Sequence, residues 1–206
     1  MIFKKVVVIM LVVILSSTAY SKQDKSFEDK LVDLYVQELE ELDEEQLELM
    51  LRVYSLGGEH GLGYTLVTIA WKESDFGKYN INLSDGKYGS YGVFQIRLDY
   101  ALKRNNIKTK WKRDRFAEKL LNDLEFSTNE AVKVLNFWIN HHKKNTKKGQ
   151  RLLNVFASYN AGYKHGGKKG AQYGKDSIRR FKAVQKYFKK YAIEKQLKSK
   201  MMVASN

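Results

Sequence analysis

The chain has 206 residues, enough for one compact domain with short appendages. Hydrophobic residues make up 43% and charged residues 29%, which argues against wholesale disorder and against a multi-span membrane protein. Cysteine is absent, so a disulfide scaffold, a thiolate zinc site and a cysteine nucleophile are all excluded, and the net charge of +14 suits an anionic partner without choosing among nucleic acid, membrane and acidic polymer.

Residues 1–21 carry Lys4 and Lys5, then ten apolar residues from Val6 to Leu15, then the small residues Ser17, Thr18 and Ala19. That order matches a secretory signal peptide. Ten residues rise about 15 Å as a helix, short of the roughly 30 Å hydrocarbon core; the alternative is an uncleaved anchor, the one route to membrane attachment. Export without cysteine points to a bacterial periplasm or cell envelope.

Residues 22–52 hold eleven acidic and four basic side chains, net −7, whereas 53–206 hold 31 basic and 12 acidic, net +19. Phe27, Leu31, Leu34 and Tyr35, and later Leu47, Met50 and Leu51, fall at helical spacing. This acidic helical segment is expected to show a solvated face. It either covers the basic body or docks an envelope protein complex. The main domain is expected over 53–195, with a tail at 196–206.

Leu62, Leu66, Ile69, Ala70 and Glu73 form one stripe of a helix over 62–74. Gly77 to Gly92 reads as a long loop with an Asp85-Gly86 turn that makes a small hairpin. Short helices are expected over 99–105 and 113–124. Ser127 with Glu130 reads as a capping box ahead of Ala131, Val134, Leu135 and Trp138. A helix over 151–159, a glycine- and lysine-rich loop over 162–174 and a last helix capped by Asp176 complete a mainly α chain.

Glu73 is the first chemical candidate. A carboxylate on an apolar stripe, near the negative end of a helix, is pushed toward its protonated form. Such an acid donates a proton to a leaving oxygen. Asp75, Asp85 and Asp99 are candidates for a second carboxylate, with Asp85 favoured as a turn residue. His141 and His142 lack metal-ligand spacing and read as exposed polar residues at a helix end. No metal or other cofactor is expected.

Three motifs stand in order: Glu73-Ser74, then Gly89-Ser90-Tyr91-Gly92-Val93-Phe94-Gln95, then Ser158-Tyr159-Asn160-Ala161-Gly162. Together they resemble the lytic transglycosylase family of the SLT type, which carries Glu-Ser, Gly-Ala-x-Gly-Leu-Met-Gln and Ala-Tyr-Asn-Ala-Gly. The resemblance implies a lysozyme-like helical domain with a long active-site loop, acting on peptidoglycan glycan strands. It implies that Glu73 is a single catalytic acid, that Gln95 lines the sugar groove, and that Tyr159 orients the carboxylate with Asn160 beside it. Ser74, Ser90, Tyr91, Gly92 and Phe94 are the further substrate-binding candidates, with Gly89 and Gly92 letting the backbone approach the sugar. Ser90 and Phe94 depart from the family's Ala and Met. The family's serine nine residues before the glutamine is here Gly86, and its Asn-Pro after Glu-Ser is replaced by Gly77-Lys78-Tyr79-Asn80. A noncatalytic glycan-binding factor and a nucleic-acid binder are the competing readings; export and the lack of a binding motif disfavour the latter.

Overall fold

A computed structural model describes residues 26–204, with side chains through residue 192. The signal segment expected at 1–21 lies outside the described residues. Among these, no helix is long and apolar enough to cross a membrane.

Eight helices and a small sheet follow one another: α1 Phe27–Glu40, α2 Glu44–Gly58, α3 Gly63–Ser74, β1 Ile81–Asn82, β2 Ser90–Tyr91, β3 Ile96–Arg97, α4 Leu98–Arg104, α5 Lys110–Asn122, α6 Leu124–Asn145, α7 Arg151–Ala161 and α8 Lys168–Ala204. The strands form an antiparallel sheet in the order β1-β2-β3, with Ile81 opposite Tyr91 and Tyr91 opposite Ile96. The fold is mainly α, as expected.

Among the described residues, one compact unit begins at residue 32 and takes in the rest. The acidic residues 32–52 therefore belong to the body, and the boundary expected at 53 is absent. Val36, Leu39 and Met50 are buried in the core. The acidic face is not merely solvated: Asp33 pairs with Lys186, Glu38 with Arg180 and Glu40 with Lys190 of α8. Asp43 caps α2 in a capping box with Gln46.

Helix α3 is the centre of the fold. Every residue from Thr65 to Trp71 is buried, so it is surrounded on all sides and no single stripe describes it. Helices α2 and α8 pack along it, and α7 packs along α8. Phe94, Leu135, Phe156 and Val184 complete the apolar interior.

Three local expectations are corrected. Helix α6 starts at Leu124 under an Asp123 cap whose carboxylate accepts from Phe126 N–H at 2.9 Å. Ser127 and Glu130 thus lie inside the helix. Both are buried, and Glu130 accepts from Arg104, Lys133 and Asn105 rather than from a helix end. The stretch read as a loop over 162–174 turns helical at Lys168, so Asp176 is interior to α8 and caps nothing. His142 is buried, with Nε2 2.8 Å from Ser158 Oγ and Nδ1 3.0 Å from Thr146 Oγ1. Burial, with the charges of His165 and His141, holds it below the usual histidine pKa.

Candidate active site

Helix α3 stops abruptly after Ser74. Asp75 and Phe76 adopt left-handed backbone, with φ of 50° and 52°, and Gly77 follows at 91°. Asp75 N–H bonds back to Trp71 O at 2.9 Å. Phe76 is buried and stacks on Trp71 at 6.2 Å, and Gln46 Nε2 donates to Asp75 O at 3.0 Å. The stop leaves Glu73 in the last turn.

Glu73 is partly buried, and the Tyr173 hydroxyl donates to its Oε1. Its pKa is raised from 4.5 to about 7. Burial is the main cause, and the charge of Asp85 adds to it. The Tyr173 hydrogen bond and the charge of Lys72 oppose it. A carboxyl group poised near neutral pH can both give and accept a proton.

Tyr159 does not orient the carboxylate. Its hydroxyl donates to Phe94 O at 2.9 Å, tying α7 to the loop after β2. It still lies near enough for Glu73's charge to reinforce the upward push that burial gives its phenol. The orienting phenol is Tyr173 on α8, likewise pushed well up by burial and then by Glu73. Sequence reasoning missed it because Tyr173 sits in the stretch read as a loop.

The loop residues have structural duties. Ser74 is buried; its hydroxyl donates to Val93 O at 2.8 Å and accepts from Gly77 N–H at 2.9 Å, fastening the end of α3 to the loop. Ser90 is buried and donates to Asp85. Phe94 is wholly buried and belongs to the core, not to the groove floor. At Gly92, φ is +77° and an added Cβ would lie 2.1 Å from Leu120 O. The close approach that requires glycine there is to protein backbone. Ser74, Ser90, Gly92 and Phe94 are thereby corrected from substrate contacts to supports. Gln95, at φ 46°, donates through Nε2 to Tyr79 O (3.0 Å) and Gly92 O (3.1 Å), so its amide nitrogen locks the loop. Tyr91 is partly buried and Asn160 is exposed at the end of α7.

Asp85 is more than a turn residue. It accepts from Ser90, lies 3.8 Å from Arg97, and its charge reaches Glu73. Asp99 is instead held by Arg97, and Asp75 lies beside Lys78 at 3.9 Å. Among the described residues no group of three His, Asp or Glu side chains is arranged to hold a metal ion.

The family described as the transglycosylase SLT domain matches residues 59–182, which carry Glu73, Tyr159 and Tyr173 alike. This chain belongs to the SLT transglycosylase domain family. Its fold is accordingly lysozyme-like. The chain is 30% identical over 119 residues to an uncharacterized 20.7 kDa protein of the vs-regB intergenic region of Enterobacteria phage T4. That match covers 57% of this chain and 60% of the phage protein. No solved structure matches the chain.

Proposed function

We propose that this protein is a peptidoglycan lytic transglycosylase in which Glu73 alone serves as acid and then as base. The observation that carries the reading is the placement of Glu73: at the end of a buried helix, bonded to the Tyr173 phenol, with its pKa near neutrality. The protonated acid gives its proton to the oxygen of the β-1,4 bond between N-acetylmuramic acid and N-acetylglucosamine. The resulting carboxylate takes the proton of the muramic acid 6-hydroxyl as that oxygen closes on the anomeric carbon, giving a 1,6-anhydro end. Exposed Asn160 and partly buried Tyr91 remain the sugar-facing candidates. The basic body suits an anionic wall, and export to the bacterial envelope follows the reading of residues 1–21.

A second reading is lysozyme-type hydrolysis, and Asp85 favours it. Inverting glycosidases use a second carboxylate to activate water, and Asp85 is the carboxylate whose charge reaches Glu73. Digestion of purified peptidoglycan followed by mass spectrometry of the muropeptides separates the two. Anhydro ends, lighter by one water, are expected; reducing ends would replace this proposal with hydrolysis.

A further inference from the structure

Lys72 is the immediate neighbour of Glu73, and its charge pulls that carboxyl toward ionisation. An ammonium free to fold onto the carboxylate would keep it charged and spoil it as an acid. The structure gives the ammonium other partners. Lys72 Nζ donates to Asp176 Oδ2 and lies 4.7 Å from the centroid of the Tyr173 ring. Asp176 is itself gripped: Tyr35 of α1 donates to its Oδ1, and Arg180 Nε lies 3.3 Å from its Oδ2. Arg180 in turn lies 4.5 Å from the Tyr35 ring, 4.2 Å from the Trp71 ring and 3.7 Å from Glu38.

The sorting has a simple geometric origin. Tyr173 and Asp176 are three residues apart on α8 and so share one face. Lys72 and Glu73 are adjacent at the end of α3. The phenol takes the carboxylate, and the aspartate takes the ammonium. Both members of the Lys72–Asp176 pair are largely buried, with 17% and 18% of their side chains exposed. Desolvation offsets much of the attraction in such a pair, so stability alone is a poor reason for it.

We propose that Asp176 is a positioning residue that captures Lys72 and holds its ammonium over the Tyr173 ring, so that Glu73 meets a hydroxyl and not a cation, with Tyr35 of the acidic segment locking Asp176 in place. This rests on the reading of Glu73 as the catalytic acid. The groups that face Glu73 are Tyr173 from α8, Lys72 from its own helix and Asp85 from the hairpin, with Tyr159 of α7 close by.

The test measures muropeptide release by the full chain across pH for Asp176→Asn, Lys72→Met, Tyr35→Phe, the Asp176→Asn/Lys72→Met double variant and Glu73→Gln. Asp176→Asn frees the ammonium to pair with Glu73. The alkaline limb of its profile is expected to fall by about one pH unit or more, the usual effect of an adjacent opposite charge, with roughly tenfold less activity at neutral pH. Lys72→Met raises the limb, and the double variant recovers most of the Asp176→Asn loss. Tyr35→Phe moves the limb the same way as Asp176→Asn by a smaller amount, and covers the case in which Asp176→Asn does not fold. A uniform loss at every pH that Lys72→Met does not relieve, or an unmoved limb in Asp176→Asn and Tyr35→Phe, would overturn the inference. Inactive Glu73→Gln beside an unmoved limb overturns the positioning role alone; active Glu73→Gln overturns the site itself.

Discussion

Replacing Glu73 by glutamine should stabilise the protein while abolishing cleavage, and the gain should depend on pH in one definite way. The folded-state pKa of Glu73, about 7, lies above its ordinary 4.5. Below about pH 4.5 the carboxyl is neutral in both folded and unfolded chains, and wild type and variant should unfold alike. Between 4.5 and 7 the unfolded chain ionises while the folded one resists, so wild-type stability falls. Above 7 the deficit is constant. At ~1.4 kcal/mol per pH unit the shift gives an upper figure of ~3 kcal/mol. Solvent contact of the partly exposed side chain reduces this to about 2 kcal/mol. For a chain of this size that is roughly 4–8 °C in Tm. Glutamine keeps the acceptor for Tyr173, so little else changes in the difference between the two proteins. Thermal melts of both at pH 4, 6 and 8 provide the assay, with muropeptide release falling by at least about a hundredfold. A Tm difference that stays the same at all three pH values would refute the idea that Glu73 is held in a charge-averse position.

The two tyrosines should separate cleanly. Tyr173→Phe removes the hydrogen bond that favours the ionised carboxylate, so the alkaline limb of the pH–rate profile should rise and turnover fall about tenfold; Tyr159→Phe loses the bond to Phe94 O, about 1 kcal/mol, without moving the limb. Gly92→Ala should cost more than about 3 kcal/mol in urea unfolding, since its Cβ meets Leu120 O at 2.1 Å at a φ of +77°; Gly61→Ala, also left-handed but with open space around it, should cost about 1 kcal/mol in the same measurement. Deleting residues 22–52 removes Val36, Leu39 and Met50 from the core, at about 2 kcal/mol each, and should abolish cooperative unfolding by circular dichroism. A folded, more active product would restore the view of this segment as a cover.

The helix carrying Glu73 was legible because Leu62, Leu66, Ile69 and Ala70 recur at helical spacing and polar residues mark its end. The motifs mark Glu73, the loop and α7 in chain order. Tyr173 was hidden by composition. Gly166, Gly167, Gly170 and Gly174 with Lys164, Lys168, Lys169 and Lys175 look like a flexible linker, yet a Cβ at Gly170 would meet His165 O at 2.5 Å and one at Gly174 would meet Leu153 O at 2.8 Å. Those glycines let the start of α8 lie close against its neighbours; they serve packing, which single-residue propensities do not report. Ser127 and Glu130 misled for a related reason. A capping box and two facing residues inside a helix have the same three-residue spacing, and only the burial of both, with Arg104 reaching Glu130, tells them apart. The motif residues Ser74, Ser90 and Phe94 lie around Glu73 but are buried, because a short motif holds the residues that shape a loop as well as those that face a cleft.

The acidic segment changes meaning once these contacts are seen together. It looked detachable because its charge is opposite to that of the body. Its uncharged residues, however, reach both sides of Glu73. Gln46 holds the carbonyl of Asp75, the first residue of the left-handed stop that ends α3. Tyr35 holds Asp176, which occupies Lys72. Two successive non-glycine residues at positive φ cost on the order of 1 kcal/mol or more each, and a carboxyl kept near neutral pKa adds its own deficit, so the end of α3 needs external restraint to persist. The first two helices supply part of it. Their carboxylates Asp33, Glu38 and Glu40 dock them on the basic helix α8, while their polar and apolar faces restrain the helix end that bears the acid. The opposite charges therefore join two parts of one compact unit, which is why an acidic flank can accompany a basic body.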